Sequence, residues 1–353
     1  MSNIRLENIT KRFKTTTALD NVSFSIADGE FFVLLGPTGA GKTTTLRVIA
    51  GLEKQDEGQV YFDDELADGL MPADRDVAFV FQQYSLYPNM SVFDNLAFPL
   101  RSPLRNTPES VIKPRIQEVA EKLRISHLLE RKTAKLSGGE MQRVSIGRAI
   151  VRSPRAFLMD EPLSNLDAKL REALRVELKH IQKTQHSTTI FVTHDQIEAL
   201  TMADRIAVLD EGHILQIGTP HDIYDRPATT AVAQLVGSPK INLVEASSQD
   251  GTLTVENSTL SMSAPDTMPE RLLFGVRPED VKITQDGQFA GKVTLTEPLG
   301  VETIIHIRVG DQTLLSIVPG TTTMRINDDI RFDVNSQRLH FFNTEGTRIT
   351  GWL

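Results

Sequence analysis

The chain contains no cysteine, a single tryptophan and few aromatic residues, 6% in all. The lack of cysteine excludes a disulfide scaffold, thiolate metal ligands and a cysteine nucleophile. Basic residues are in the minority, because 38 Lys and Arg face 46 Asp and Glu and leave a formal net charge of −8. This charge argues against a general affinity for nucleic acid or anionic lipid, since both bind to basic faces.

Long hydrophobic runs are also missing. The longest ones, such as residues 31–35 and 206–209, are far shorter than the about 20 apolar residues of a membrane-spanning helix. The first residues lack the apolar centre of a secretory signal. We therefore expect a cytosolic chain that does not cross a bilayer by itself but can be held at a membrane by a partner that does.

The 353 residues, 40% of them hydrophobic, are enough for about two domains with real cores. Residues 1–236 alternate continuous apolar runs with helical patterns. The runs at 31–35, 156–159, 188–192 and 206–209 are typical of strands buried on both faces, and Leu170, Leu174, Leu178 and Ile181 follow helical spacing. Strands that alternate with helices predict an α/β domain.

The chain changes character after a short linker at residues 237–242. Residues 243–353 show alternating runs, such as Ile305, Ile307 and Val309, broken by Gly and Asp-Gly pairs. This pattern predicts a small all-β barrel or sandwich. The β domain carries 15 acidic against 9 basic residues, a balance of −6, which leaves −2 for the first 242 residues.

A glycine-rich segment follows the run at 31–35 and fits the pattern G-x-x-x-x-G-K-[ST]. It consists of Gly36, Pro37, Thr38, Gly39, Ala40, Gly41, Lys42 and Thr43, and it opens a helical stretch that starts with Thr44. Backbone N–H groups of such a loop converge on phosphate oxygens at a helix N-terminus. We expect Lys42 to reach the β- and γ-phosphates of a nucleotide and the Thr43 hydroxyl to bind Mg²⁺.

Two carboxylates stand at the end of the strand-like run at 156–159. Ligands of open α/β sheets bind at the carboxyl ends of the strands. Asp160 would hold Mg²⁺ through water, and Glu161 would polarise the attacking water as a general base.

Between these segments lies a second anion-binding helix end, Ser137, Gly138, Gly139 and Glu140, which follows Leu136. With these residues the sequence resembles the ATP-binding-cassette (ABC) ATPases, whose signature is usually Leu-Ser-Gly-Gly-Gln. Glu140 departs from that pattern. The resemblance implies a P-loop NTPase fold with a RecA-like core and a helical subdomain, ATP and Mg²⁺ as cofactors, and a signature that acts in trans on the nucleotide of a second protomer.

Other family motifs follow in order. Gln82 resembles the Q-loop glutamine, which contacts Mg²⁺ and the γ-phosphate, and Asp167 belongs to a D-loop-like segment. His194 matches the switch histidine, which contacts the γ-phosphate. Phe13 matches the aromatic residue that stacks on adenine, with plain core packing as the alternative. Residues 36–44, Phe13 and Gln82 would thus bind ATP, with Glu161 and His194 as the catalytic pair.

The resemblance extends to the carbohydrate-uptake subgroup, similar to the ATPases of maltose and sn-glycerol-3-phosphate importers. It is carried by residues 84–92, 161–171, 193–199, 218–220, 224–227 and 237–239. In the tail it is carried by residues 275–280, which resemble an OB-like regulatory domain of the TOBE/MOP type. By the same resemblance, residues 88–135 form the helical subdomain, which with Gln82 and residues 84–87 receives a membrane subunit.

The leading hypothesis is an ATPase that drives sugar import from the cytoplasmic face of the inner membrane. It would act as a homodimer with two integral-membrane permease subunits and an extracytoplasmic solute-binding protein, without nucleic acid. An ATPase of a polyamine, iron or other small-solute importer shares this layout. A different class, a cassette that acts on ribosomes or DNA, is disfavoured by the single cassette and the net acidity.

Overall fold

The computed structural model describes residues 2–103, 105, 107–255, 258, 260–263 and 268–350. The sequence-predicted helical subdomain (88–135) and β domain (243–353) therefore each include residues that lie outside the described ranges. The chain forms two compact units, Met1–Pro220 and His221–Leu353. No helix within the described ranges is both long and apolar enough to span a bilayer.

In the described part of the first unit there are two sheets and six α-helices. Their bounds are β1 Ile4–Phe13, β2 Thr16–Ile26, β3 Phe31–Leu35, α1 Lys42–Ala50, β4 Glu57–Phe62, β5 Glu65–Leu66, β6 Val77–Val80, α2 Val92–Ala97, α3 Glu109–Lys122, α4 Gly138–Ile150, β7 Ala156–Asp160, α5 Ala168–Gln185, β8 Thr189–Thr193, α6 Gln196–Met202, β9 Arg205–Asp210 and β10 His213–Gly218. Short 3₁₀ turns at Ser126–Leu128 and Thr133–Lys135 complete the segment between α3 and α4.

The central sheet of this unit has the strand order β10-β9-β3-β8-β7-β6, in which only β10 runs antiparallel to its neighbour. Every residue of β3, β7 and β8 is buried, as the continuous apolar runs predict for a parallel sheet. The smaller sheet, in the order β2-β1-β4-β5, is antiparallel. The predicted α/β architecture is confirmed.

The predicted helices also form. The stretch after the glycine-rich segment is α1, which ends at Gly51 in the left-handed conformation of a C-cap. Helix α3 buries Ile112, Ile116, Val119 and Ala120, and α5 buries Leu174, Leu178 and Ile181 on one stripe. Each stripe follows the i, i+3/i+4 spacing by which a helix covers a core.

The described residues of the second unit form two short helices followed by ten strands. These are α7 Pro220–Asp225, α8 Thr230–Leu235, β11 Asn242–Gln249, β12 Thr252–Thr254, β13 Ser261–Ser263, β14 Arg271–Val276, β15 Val281–Ile283, β16 Phe289–Pro298, β17 Glu302–Val309, β18 Gln312–Pro319, β19 Asp329–Val334 and β20 His340–Phe342. They form two five-stranded antiparallel sheets, β13-β12-β11-β14-β20 and β15-β19-β16-β17-β18. Their inward faces share one apolar core that includes Phe274, Ile305, Ile307 and Phe332. The predicted all-β domain is thus present.

Helices α7 and α8 pack within the second unit, although the sequence-based division at residue 236 leaves them with the first. The physical reason is the buried Arg277, whose guanidinium donates to the backbone carbonyls of Tyr224, Ala233 and Val236 and lies 4.1 Å from the Tyr224 ring centroid. Buried N–H groups need acceptors, and here the two helices supply them for Nη1 and Nη2 of Arg277. No local pattern in the sequence signals this long-range contact.

Candidate functional site

The candidate residues lie at the carboxyl ends of four neighbouring strands of the central sheet. The strands β3, β8, β7 and β6 lie side by side and parallel, with Leu35 opposite Thr193, Val192 opposite Asp160, and Met159 opposite Val80. Their carboxyl ends therefore coincide, and the residues that follow them share one crevice. This register brings the glycine-rich segment, Gln82, Glu161 and His194 together from distant parts of the sequence.

The glycine-rich segment forms a tight loop between β3 and α1. Gly41 adopts φ 105°, and a side-chain carbon there would lie 2.5 Å from the carbonyl oxygen of Ala18. Only glycine suits both the left-handed backbone and the close approach. No side chain caps α1, and its first turn contains no acidic residue. Its N-terminal N–H groups are therefore open to an external anion.

Lys42 lies buried under this loop with 4% of its side chain exposed. Its ammonium donates to the carbonyl oxygens of Gly36 at 2.9 Å and Pro37 at 2.8 Å, and lies 3.9 Å from a carboxylate oxygen of Glu161. Burial lowers the pKa of Lys42, while the charges of Glu161 and Asp160 oppose that shift. The amine is thus held in a buried site, where a phosphate would gain more from its charge than at the surface.

Thr43 and Asp160 form a pair of oxygen ligands. The Thr43 hydroxyl donates to Oδ1 of Asp160 at 2.9 Å. Burial raises the pKa of Asp160, and the charge of Glu161 adds to the rise, against the Thr43 hydrogen bond and the charge of Lys42. Hydroxyl and carboxylate oxygens suit Mg²⁺, which usually retains water and phosphate oxygens as its remaining ligands. The side chains present therefore fit a magnesium ion.

Glu161 is the centre of the site's side-chain contacts. It has the left-handed φ of 43°, a strained value for a non-glycine residue. Its Oε2 accepts a hydrogen bond from Nε2 of Gln82 at 3.2 Å and lies 3.3 Å from Nδ1 of His194. The structure thus brings together Gln82, Glu161 and His194 as the sequence predicts, beside Lys42.

Asn165, which the sequence did not single out, also contacts the site, because its side-chain amide donates to the backbone carbonyl of Gln82 at 3.3 Å. This contact links the segment after β7 to the segment after β6. An asparagine inside the D-loop-like motif was the available signal. Asp167 of that motif caps α5 by accepting from the backbone N–H of Leu170 at 3.0 Å.

Two residues of the predicted site are more exposed. His194 has 54% of its side chain exposed next to the buried face of Glu161. Phe13, at the end of β1, is 42% exposed, and the Lys11 ammonium lies 4.9 Å from its ring centroid. Core packing, the alternative for Phe13, is wrong in the described structure, and the exposed ring remains suited to stacking.

The signature segment, residues 137–140, lies at the start of α4, and the contacts described for it are not with the glycine-rich loop. Ser137 caps the helix with Glu140 as its reciprocal partner, an arrangement known as a capping box. The segment lines a cavity of about 490 Å³ with Arg124, His127, Arg143 and Asp167. Within the described residues, the Ser137 side chain bonds to Glu140 and not to the glycine-rich loop of residues 36–43, which we call the cradle.

A larger cavity of about 610 Å³ lies between α4 and the segment after β6. Phe79, Tyr87 and Phe98 provide aromatic surface, and the Phe98 side chain is 47% exposed. Arg148 from α4 donates to the backbone carbonyl of Ser85 at 2.7 Å and lies 5.6 Å from the Tyr87 ring centroid. We call this surface the aromatic groove. The sequence predicts that residues 84–87 and the subdomain 88–135 receive a membrane subunit, but it did not single out Arg148.

Two family models match the chain. The ABC transporter model matches residues 19–164 and the TOBE domain model matches residues 274–342. The trehalose/maltose import ATP-binding protein MalK of Thermococcus litoralis is 45% identical, over 97% of this chain and 98% of its own length. The sn-glycerol-3-phosphate import ATP-binding protein UgpC of Brucella abortus is 44% identical, over 99% of this chain and its entire length.

A solved structure is similar to part of the chain. It is an ATP-binding cassette in a dimeric post-hydrolysis state with ADP and Pi, 32% identical, with a TM-score of 0.57. The match covers 62% of this chain and 98% of that one.

Proposed function

Because this chain belongs to the ABC transporter ATP-binding proteins, we propose that it hydrolyses ATP to power the import of a carbohydrate or sugar derivative. The observation that carries the proposal is the convergence of Lys42, Thr43, Asp160 and Glu161 at one sheet edge. The relatives named for trehalose/maltose and sn-glycerol-3-phosphate import support the assignment of this site to an import ATPase.

The reaction assigned to the site is attack of water on the γ-phosphorus of ATP, which breaks its bond to the β–γ bridging oxygen and releases ADP and phosphate. The loop N–H groups and Lys42 bind the β- and γ-phosphates, so Lys42 exchanges its contacts with Gly36 and Pro37 for phosphate oxygens. Glu161 accepts a proton from the attacking water. Gln82 and His194 orient its carboxylate through the contacts they already make.

A magnesium ion belongs to this proposal. Thr43 and Asp160 would hold it, since they present adjacent oxygen ligands at the mouth of the cradle. When bound, the ion would neutralise charge that develops on the phosphate oxygens. Phe13, with its exposed ring, would stack on the adenine.

The functional form in this proposal is a homodimer. Each chain has one cradle and one signature segment, and the Ser137 side chain makes no contact with its own cradle among the described residues. A two-fold arrangement would place the signature of each protomer over the nucleotide of the other. ATP would favour the closed dimer and hydrolysis the open one, which is a population shift driven by the ligand. A related cassette was solved as a dimer with ADP and Pi.

The aromatic groove is the proposed docking surface for a membrane permease subunit. Its exposed aromatic rings and arginines suit a partly apolar helix or loop. Two permease subunits would hold the dimer at the cytoplasmic face of the inner membrane, and a solute-binding protein would deliver the solute from the other side.

Isolation of the chain from its native membranes in mild detergent tests this assembly. We expect two integral-membrane proteins to co-purify, and Phe98→Ser in the groove to reduce their recovery. Val111→Ser is the matched control, because Val111 is also exposed, at 53%, and does not line the groove. Recovery with RNA and without integral-membrane proteins would contradict the proposal.

The isolated complex, reconstituted in vesicles, tests the solute class. ATP hydrolysis should rise with a sugar or a sugar phosphate and its binding protein. A response confined to polyamines or to ferric iron would replace the carbohydrate assignment and keep the importer.

A further inference from the structure

Glu140 binds both polar groups of Ser137 that a phosphate would use. Its Oε2 accepts a hydrogen bond from the Ser137 backbone N–H at 2.8 Å and lies 2.9 Å from the Ser137 hydroxyl oxygen. The backbone N–H of Glu140 lies 3.4 Å from the same hydroxyl. The hydroxyl proton is therefore committed to a carboxylate of its own chain.

The carboxylate is ionised under ordinary conditions. The Ser137 backbone N–H lowers the pKa of Glu140, with further contributions from the Ser137 hydroxyl, Arg131 and His127. The Arg131 guanidinium lies 3.9 Å from Oε1 of Glu140, and Arg124 and Arg143 line the same cavity. A hydrogen bond to an ionised acceptor is roughly twice as strong as one to a neutral acceptor.

We propose that Glu140 is a positioning residue that retains the Ser137 hydroxyl in the open protomer and releases it only when the partner's ATP displaces it. This inference rests on the proposed homodimer in which the signature acts in trans. The anion that would approach Ser137 carries the same sign of charge as Glu140, so closure must both break the bond and bring two negative groups together. The free energy of ATP binding must therefore offset the lost hydrogen bond and the charge repulsion. Glu140 thereby raises the ATP concentration at which the dimer closes.

The side chain at this position can be changed without loss of the helix cap. A capping box forms with Glu or with Gln. Glutamine keeps one carbonyl oxygen to accept from Ser137 but removes the charge, so the hydroxyl is held more weakly. The usual glutamine of the family signature is therefore the natural probe of the glutamate found here.

The experiment measures the ATP concentration for half-maximal dimer formation by light scattering, in a Glu161→Gln parent that hydrolyses slowly. Glu140→Gln should lower that concentration by about fivefold, the difference between a charged and a neutral hydrogen bond. ATP binding to the isolated protomer, measured at low protein concentration, should not change, since the cradle is untouched. Glu130→Gln is the matched control, because Glu130 is an exposed carboxylate seven residues before Ser137.

Removal of the hydroxyl supplies the decisive comparison. In a Ser137→Ala background, Glu140→Gln should give a smaller gain, because the bond to the hydroxyl is already gone and the variant then relieves the like-charge repulsion without it. An equal gain in that background, or an unchanged ATP requirement in Glu140→Gln, would overturn the positioning role alone. If the Glu161→Gln parent formed no ATP-dependent dimer, the proposed function would fail together with this inference.

Discussion

The first unit contains two helix N-termini that the proposal aims at the same nucleotide, and they differ in how their backbone donors are satisfied. Helix α1 has no side-chain cap and no acidic residue in its first turn. Helix α4 has a complete capping box from Ser137 and Glu140. The first is therefore open to an external anion, whereas the second already has an internal one.

This difference indicates a division of labour. The cradle at α1 can bind a nucleotide in a single protomer, because its donors and the buried Lys42 need only turn from backbone carbonyls to phosphate. In the proposed mechanism, the signature at α4 must first exchange an internal hydrogen bond, so it would engage only when a second protomer supplies enough binding energy. The cradle would thus determine nucleotide affinity, and the signature would determine closure of the dimer.

The largest change that we expect is the loss of ATP hydrolysis when Glu161, which lies beside Lys42 of the cradle, is replaced. Glu161→Gln removes the proposed base and should reduce ATP hydrolysis by about 10²- to 10⁴-fold, with ATP binding retained. A phosphate-release assay measures this, and size exclusion should show a trapped dimer. Glu172→Gln, an exposed carboxylate on α5, is the control and should hydrolyse normally. A fully active, monomeric Glu161→Gln would remove Glu161 from the base role.

The next effect concerns affinity alone. Lys42→Ala should weaken ATP binding by at least about tenfold, because it deletes a buried cation that would bind phosphate. Titration calorimetry measures this in the isolated chain. Ser137→Ala, by contrast, should leave protomer affinity unchanged. Equal losses in the two variants would contradict the division of labour.

Alanine at one glycine of each helix N-terminus, the N-cap Gly41 of α1 and the first helical residue Gly138 of α4, compares the two segments in stability. Gly41→Ala forces a side chain into the left-handed region against the Ala18 carbonyl oxygen, and should cost at least about 2 kcal/mol in the free energy of unfolding. Gly138→Ala meets only the Tyr84 hydroxyl, at 3.1 Å, and should cost less than about 1 kcal/mol. Urea denaturation of both variants measures the difference, and equal costs would contradict the tight geometry of the cradle.

The smallest effect is a pH dependence confined to the α4 terminus. Because the folded pKa of Glu140 is depressed, its cap stabilises the chain above the ordinary glutamate pKa and loses that contribution as pH falls below it. Ser137, Arg131 and His127 are the groups responsible for the low pKa. The stability gap between wild type and Glu140→Gln should therefore shrink on going from pH 7 to pH 4. A gap that widened in acid would contradict the charged cap.

Sequence reasoning succeeded where a motif, a strand and a helix lie next to one another. The cradle, its strand β3 and its helix α1 are contiguous in the chain, so local patterns predicted all three. It also predicted the order of the other motifs. Long-range contacts were less accessible, because the pairing of Asn165 with the Gln82 backbone and the Arg277 clamp on α7 and α8 depend on tertiary packing.

Glu140 shows that sequence patterns leave side-chain contacts undetermined even within the five residues 136–140. The sequence marked it as a departure from a family signature, but the direction of its carboxylate, back onto Ser137, needed the side-chain geometry. The pattern S-x-x-E before an apolar helix was the local signal for a capping box.

A mixing experiment tests most directly whether the signature of one chain serves the cradle of another. Chains with Glu161→Gln plus Lys42→Ala are combined with chains carrying Glu161→Gln plus Ser137→Ala, and occluded ATP is measured. Each mixed dimer would contain one site built from an intact cradle and an intact signature. We therefore expect mixing to restore ATP occlusion, which neither variant shows by itself at the same ATP concentration. If the mixture retains no more ATP than the separate variants, the signature does not act in trans and the account is contradicted.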